Sequence, residues 1–119
     1  MTGTGTKTDP FIVGSWSEFV AVNTDNYQKF IKFADSDNKT IDFNNIFPTG
    51  MSEIIIKNCI DFNDWTLTNF YSENERIFNI EITSFTGIDW IIKNLNFLNF
   101  YHIASKGSFI RISYSASRL

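Results

Sequence analysis

A chain of 119 residues fits one domain, and 43% hydrophobic residues, 17% of all residues being aromatic, suffice to fill one core. The net charge is −3 and no basic run is present, which argues against nucleic acid as a partner. No apolar run approaches the roughly 18 residues of a membrane span, and the single Cys59 excludes an intrachain disulfide.

Residues 1–10 are Thr- and Gly-rich and end in Asp9-Pro10, an extended lead-in. They lack the apolar core of a secretory signal, so the product is expected in the cytoplasm when made. Phe11-Ile12-Val13 reads as a short strand. Ser15-Trp16-Ser17-Glu18 has the form of a helix capping box. Trp16, Phe19 and Val20 then fall on one helical face, and Asn23-Thr24-Asp25-Asn26 ends the helix. From Tyr27 onward helical periodicity is absent. The chain holds thirteen Phe, seventeen Ile and thirteen Asn. Phe and Ile favour strands, and Asn favours turns. Strands are predicted at about 41–44, 54–58, 65–69, 78–82, 90–94 and 109–114.

Three of these strands alternate two apolar residues and then an Asn: Ile54-x-Ile56-x-Asn58, Trp65-x-Leu67-x-Asn69 and Trp90-x-Ile92-x-Asn94. A period of two puts all three positions on the core side. Asn58, Asn69 and Asn94 are therefore expected to point inward and bond from coil to coil as a ladder. Short repeats suggest such coils. Ile41-Asp42-Phe43-Asn44 returns as Ile60-Asp61-Phe62-Asn63 after 19 residues, Trp65 returns as Trp90 after 25, and Asn69-Phe70-Tyr71 returns as Asn99-Phe100-Tyr101 after 30. Ile80 and Ile82 match Ile110 and Ile112 at the same offset of 30. That register places Glu81 beside Arg111 on the neighbouring coil as an outward ion pair.

Chemistry is sparse. Asp42 and Asp61, if stacked, would form the kind of carboxylate pair that works on glycosides. No general-acid context accompanies them, and they read as solvated turn acids. Asp35-Ser36-Asp37-Asn38 opens like a calcium loop, but Thr40 and Ile46 stand where that loop needs Gly and Glu. Cys59 and His102 are distant in sequence and read as a buried thiol and a loop imidazole. Gly3-Thr4-Gly5 precedes a strand instead of following one, so it is a poor phosphate cradle. Alternation sends Trp65 and Trp90 inward. Tyr71 and Tyr101 end strands, and with Trp16 and Tyr27 they are the remaining stacking candidates. No catalytic residue, metal ligand or cofactor is assigned.

Several stretches resemble right-handed parallel β-helix, pectin-lyase-like proteins. Cys59-Ile60-Asp61-Phe62-Asn63-Asp64-Trp65-Thr66-Leu67-Thr68-Asn69-Phe70 resembles their Ile-Asp-Gly-Asn-Gly-x-Thr-Ile-x-Asn-Leu coil, and Trp90-Ile91-Ile92-Lys93-Asn94-Leu95-Asn96-Phe97 resembles the coil after it. Gly3-Thr4-Gly5-Thr6-Lys7-Thr8-Asp9-Pro10-Phe11-Ile12-Val13 is similar to the lead-in of β-helical surface and bacteriophage proteins. The chain departs from the pattern at Phe62-Asn63-Asp64, where Asn and Asp must supply the left-handed backbone that glycines usually give.

Together these features predict an all-β fold, a short right-handed parallel β-solenoid. Residues 1–26 form the lead-in, strand and cap helix, and 27–119 form the coils. The motifs concern fold alone, so the expected role is non-enzymatic. The resemblance implies a structural or attachment protein of a bacteriophage virion, such as a capsid decoration, fibre or tail component, with other subunits as partners in a homo-oligomer. A carbohydrate-binding or carbohydrate-cleaving β-helix, taking a surface glycan, is the alternative. A solenoid exposes strand edges at its ends. The stretch from Phe109 to Leu119 brings no capping helix, so Ile110, Ile112 and Tyr114 are expected to meet another subunit, unless the chain is a fragment.

Overall fold

The computed structural model describes residues 2–23, 29–44, 54–56, 58–72, 78–82, 90–102 and 110–114, with backbone alone for 54–56, 72, 79–82, 101–102 and 110–114. The elements are β1 (Phe11–Val13), α1 (Trp16–Val22), β2 (Phe30–Phe33), β3 (Thr40–Asp42), β4 (Ile54–Ile56), β5 (Cys59–Asp61), β6 (Thr66–Ser72), β7 (Phe78–Ile82), β8 (Ile92–Lys93), β9 (Asn96–His102) and β10 (Ile110–Tyr114). The strands form three sheets, ordered β1-β2-β5-β8, β3-β6-β9 and β4-β7-β10. Every pairing between these strands is parallel. From β2 onward the chain visits the three sheets in turn, and does so three times. Parallel neighbours need a long crossover. Here the crossover from β1 to β2 holds α1, and each later crossover is made of the strands of the other two sheets. The all-β, parallel expectation is met.

Like residues stack on like across the strands. Ile31, Ile60 and Ile92 share one register column, and Ile41, Leu67 and Phe97 another. Phe33 lies over Phe62 with ring centroids 4.7 Å apart, and Phe70 over Phe100 at 4.9 Å. In β2 the alternation is strict: Ile31 and Phe33 are buried while Lys32 between them is not. Buried positions thus meet apolar neighbours on the adjacent strands of their sheet.

The helix begins and packs as its sequence requires. Ser15 is the N-cap, and its Oγ accepts the Glu18 N–H at 3.2 Å. Glu18 Oε1 accepts the N–H of Gly14 at 2.7 Å, one residue earlier than the usual capping-box partner. Phe19 is fully buried against Phe33 and Phe62, with centroids at 5.5 and 5.8 Å. Trp16 meets Phe43 edge-on at 5.1 Å and Phe78 at 6.1 Å. One helical turn therefore reaches the first sheet, the segment after β3, and the third sheet.

The lead-in is folded rather than trailing. The N–H groups of Thr4, Gly5 and Thr6 all donate to the Asp9 carbonyl, at 3.1, 3.0 and 3.2 Å. Gly5 O accepts from Phe30 N–H at 2.9 Å, which fastens this loop to β2. Gly3 has φ +96°, and a Cβ there would fall 2.0 Å from Pro10 O. Only glycine fits that position.

Two register expectations are corrected. β10 pairs with β7 as Ile110↔Phe78, Arg111↔Asn79 and Ser113↔Glu81. Glu81 and Arg111 are thus displaced by two positions on adjacent strands and do not stand opposite each other. The Ile80/Ile110 match gave the wrong offset because alternating Ile recurs every two residues and cannot fix a shift of two. The 19- and 25-residue repeats do not run from coil to coil either. Asp42 belongs to the second sheet and Asp61 to the first; Trp65 precedes a second-sheet strand and Trp90 a first-sheet strand. The Asn-Phe-Tyr repeat is the true register of neighbouring strands, with Phe70↔Phe100 and Tyr71↔Tyr101.

Candidate functional site

The polar architecture is concentrated at left-handed residues that bend the chain, between sheets or, at Asn69 and Asn99, within β6 and β9. Among the described residues, those other than glycine with positive φ are Asn44, Asn63, Asp64, Asn69, Asn94 and Asn99, between 51° and 65°. Asn and Asp tolerate this region because their short side chains bond locally. The Asn content is therefore largely corner chemistry, and Asn63-Asp64 supply the left-handed turn in place of the glycines of the resembled family.

Two columns of side chains run up these corners. In the first, Asp42 Oδ1 accepts the Asn44 N–H at 2.8 Å and Asn69 Nδ2 at 3.0 Å. Asn69 Oδ1 in turn accepts Asn99 Nδ2 at 3.2 Å. In the second, Asp61 Oδ1 accepts the Asn63 N–H and Asn94 Nδ2, both at 2.9 Å. The recurring Ile-Asp-Phe-Asn is thus one device used at two corners. The Asp closes its own turn through the Asn two residues on, and also receives an Asn from the next strand of the stack. Asn63 Nδ2 additionally donates to Phe33 O at 3.0 Å and to Asp35 Oδ1 at 2.9 Å, and Lys39 Nζ stands 3.6 Å from that carboxylate.

These bonds set the carboxylates' acidity. The Asn44 N–H, then the Asn69 amide, holds Asp42 below the ordinary carboxylate range. The Asn63 amide, then the charge of Lys39, does the same for Asp35, and the Gly14 N–H leads for Glu18. A depressed folded-state pKa means that the ionised form stabilises the fold. That stability is complete above the unfolded value near 4 and is lost as pH falls through the lower folded value. The urea midpoint is therefore expected to hold steady from pH 7 to about 5 and to fall below about 4. Asp42→Asn keeps an acceptor without a titration, so the acid slope of that variant should be shallower. An identical acid limb in both proteins would remove Asp42 from this account.

The expected single ladder of Asn58, Asn69 and Asn94 is not formed. Asn58 is inward and buried; its Oδ1 accepts Lys29 N–H at 2.9 Å and its Nδ2 donates to Asn23 Oδ1 at 3.0 Å. Asn69 is half-buried and Asn94 exposed, and each belongs to a different column. The left-handed residue turns the chain, so alternation counted through it fails. Asn99 went unassigned in the sequence, although the Asn-Phe-Tyr repeat marked it. Asp42 and Asp61, being in different sheets, make no carboxylate pair.

The other candidates also find places. Cys59 is fully buried and its Sγ donates to Trp90 O at 2.9 Å, as a core thiol does. Cys59 lies in β5 of the first sheet, and His102 ends β9 of the second. Trp65 is buried, as alternation predicts, with Nε1 donating to Ala34 O at 2.9 Å. Trp90 is half-buried under Lys93, whose Nζ is 4.5 Å from the ring centroid. Ile110, Ile112 and Tyr114 lie in β10, the edge strand of the third sheet among the described residues; their side chains, like all of Tyr27, fall outside them. Among the described residues no helix is long and apolar enough to cross a membrane, and no group of three or more His, Cys, Asp or Glu forms a metal-binding set.

No protein-family model matches this chain, and neither a curated protein nor a solved structure matches it.

Proposed function

We propose that the chain is a short right-handed β-solenoid that serves as a non-enzymatic structural or attachment component of a larger assembly, of the virion type that its lead-in and coil motifs resemble. One observation carries the assembly reading. The β1 edge of the stack is accompanied by α1, whose rings enter the core. At the other edge, β8, β9 and β10 are each the last described strand of their sheets, and β9 leaves Phe97 37% and Leu98 56% exposed. An open parallel edge with exposed apolar side chains is a template for another strand. The non-enzymatic reading is supported by Asp42 and Asp61, whose Oδ1 atoms hold two corner bonds each.

The test has two arms. In a sucrose gradient of lysate from cells that make the protein, the chain should sediment with particles, and retention at the top of the gradient would count against the assembly. The purified chain should release no sugar from capsular or pectic polysaccharides. Release that disappears in Asp42→Asn or Asp61→Asn would overturn the proposal in favour of a carbohydrate-cleaving β-helix.

A further inference from the structure

We infer that the β9 edge is a docking site for a parallel β-strand of a different protein, one reading apolar-x-Asn-aromatic, whose Asn continues the Asp42–Asn69–Asn99 column. This rests on the assembly reading above and names the partner's chemistry.

The column has a direction. A carboxylate only accepts, so Asp42 obliges Asn69 to turn its NH₂ toward it. Asn69 then offers Oδ1 on its other side, and Asn99 fills it with its own NH₂. Asn99 consequently presents Oδ1 at the exposed end, and among the described residues nothing donates to it. Asn94 on Asp61 repeats the arrangement at the neighbouring corner. The edge is thus acceptor-terminated, and a side-chain N–H donor would extend the column.

The backbone narrows the donor. Asn69 and Asn99 sit one above the other at φ 58° and 56°. A strand that repeats the β6-to-β9 step turns left-handed at the same place, whereas β3, with Phe43 there, turns one residue later at Asn44. Glycine makes that turn but has no amide; Asn makes it and donates. The register gives the flanking positions. Leu67 lies under Phe97 and Phe70 under Phe100, so the incoming strand needs an apolar residue two before the Asn and an aromatic one after it. Those residues would cover Phe97 and continue the Phe70–Phe100 ring stack.

A second copy does not meet these requirements. Stacked head to tail, its leading strands offer Phe43 and Val13 at the two corner positions, by the registers Asp42↔Thr68 and Val13↔Phe33. Neither side chain has an N–H. Its first sheet also begins one strand earlier than the other two, with α1 following, so the two ends do not match. Stacked tail to tail, a two-fold axis sets acceptor against acceptor and makes the pairing antiparallel.

The probe is a fluorescent peptide of the chain's own Thr66–Ser72 sequence, Thr-Leu-Thr-Asn-Phe-Tyr-Ser, with terminal lysines for solubility. Anisotropy titration of the intact protein should give saturable binding. The peptide's Asn69→Asp variant, which replaces donor by acceptor, should bind at least about 10-fold more weakly. Asn99→Gly in the protein keeps the left-handed turn without the amide and should cause a similar loss with an unchanged circular dichroism melt. Equal binding of the two peptides, or none of either, overturns the inference, as does a concentration-dependent dimer that Asn99→Gly abolishes. Particle association that survives in Asn99→Gly leaves the assembly reading intact and sinks this site alone. Amide-specific peptide binding by a chain that never joins particles does the reverse.

Discussion

Phe62→Ala should destabilise the protein by about 3–5 kcal/mol, as truncating a well-packed buried aromatic does. Phe62 is fully buried between Phe33 at 4.7 Å, Phe19 at 5.8 Å and Phe78 at 6.2 Å. One ring thus touches the first sheet, the helix and the third sheet. Its removal opens a cavity that none of the three can collapse into alone, because parallel pairing holds each strand in register. Domains of this size have only about 5–15 kcal/mol in total, so a large share of the stability is lost. Phe62→Leu should cost less, since part of the volume is retained. Leu98→Ala, at a side chain 56% exposed, should change stability by no more than about 0.5 kcal/mol. Urea unfolding of the three variants checks the ranking. A Phe62→Ala protein as stable as Leu98→Ala would mean that the core is not where the stacked rings place it.

The sequence revealed strand-rich, parallel stacking and the capped helix because both rest on local rules. Alternation and the Ser15–Glu18 spacing are written in adjacent residues. The coil period was harder to see. Three corners per circuit use the same few residue types, so Asp42-Phe43-Asn44 and Asp61-Phe62-Asn63 look like one corner in two coils when they are two different corners, with the turn from β4 to β5 between them. Only the Asn-Phe-Tyr repeat, at 30 residues, spans a full circuit. Strand ends were misjudged for a related reason. β6 continues through Asn69 to Ser72, although Asn69 has φ 58°. A period-two count assumes extended backbone and cannot pass such a residue unaltered. β2 and β5 fall outside the predicted strands; β5 begins at Cys59, directly after the strand predicted to end at Asn58.

That inward Asn is the second site of large expected effect. Asn58→Ala should cost about 2–4 kcal/mol, because each buried polar group deprived of its partner costs roughly 1–3. Asn58 is 2% exposed and links two segments: its Oδ1 accepts Lys29 N–H just before β2, and its Nδ2 donates to Asn23, the C-cap of α1. Alanine removes the acceptor of one and the donor of the other, in a place closed to water. The end of the helix then loses this hydrogen bond, although Phe19 still packs on Phe33 and Phe62, and hydrogen exchange at the Lys29 amide should accelerate. Asn58→Asp separates the two halves of the effect. The carboxylate keeps the acceptor for Lys29 but faces the Asn23 carbonyl with an oxygen in place of an NH₂. The charged form is penalised in the fold, so the carboxyl's folded pKa is raised above its unfolded value near 3.9. Below that value the acid is protonated in both states and regains a donor, and the deficit against wild type is smallest. As pH rises toward the folded value the deficit grows, and it is largest above it. Urea midpoints of wild type and Asn58→Asp should therefore converge between pH 7 and 4. Midpoints that stay a constant distance apart would show that the cost lies in shape rather than in the lost donor to Asn23.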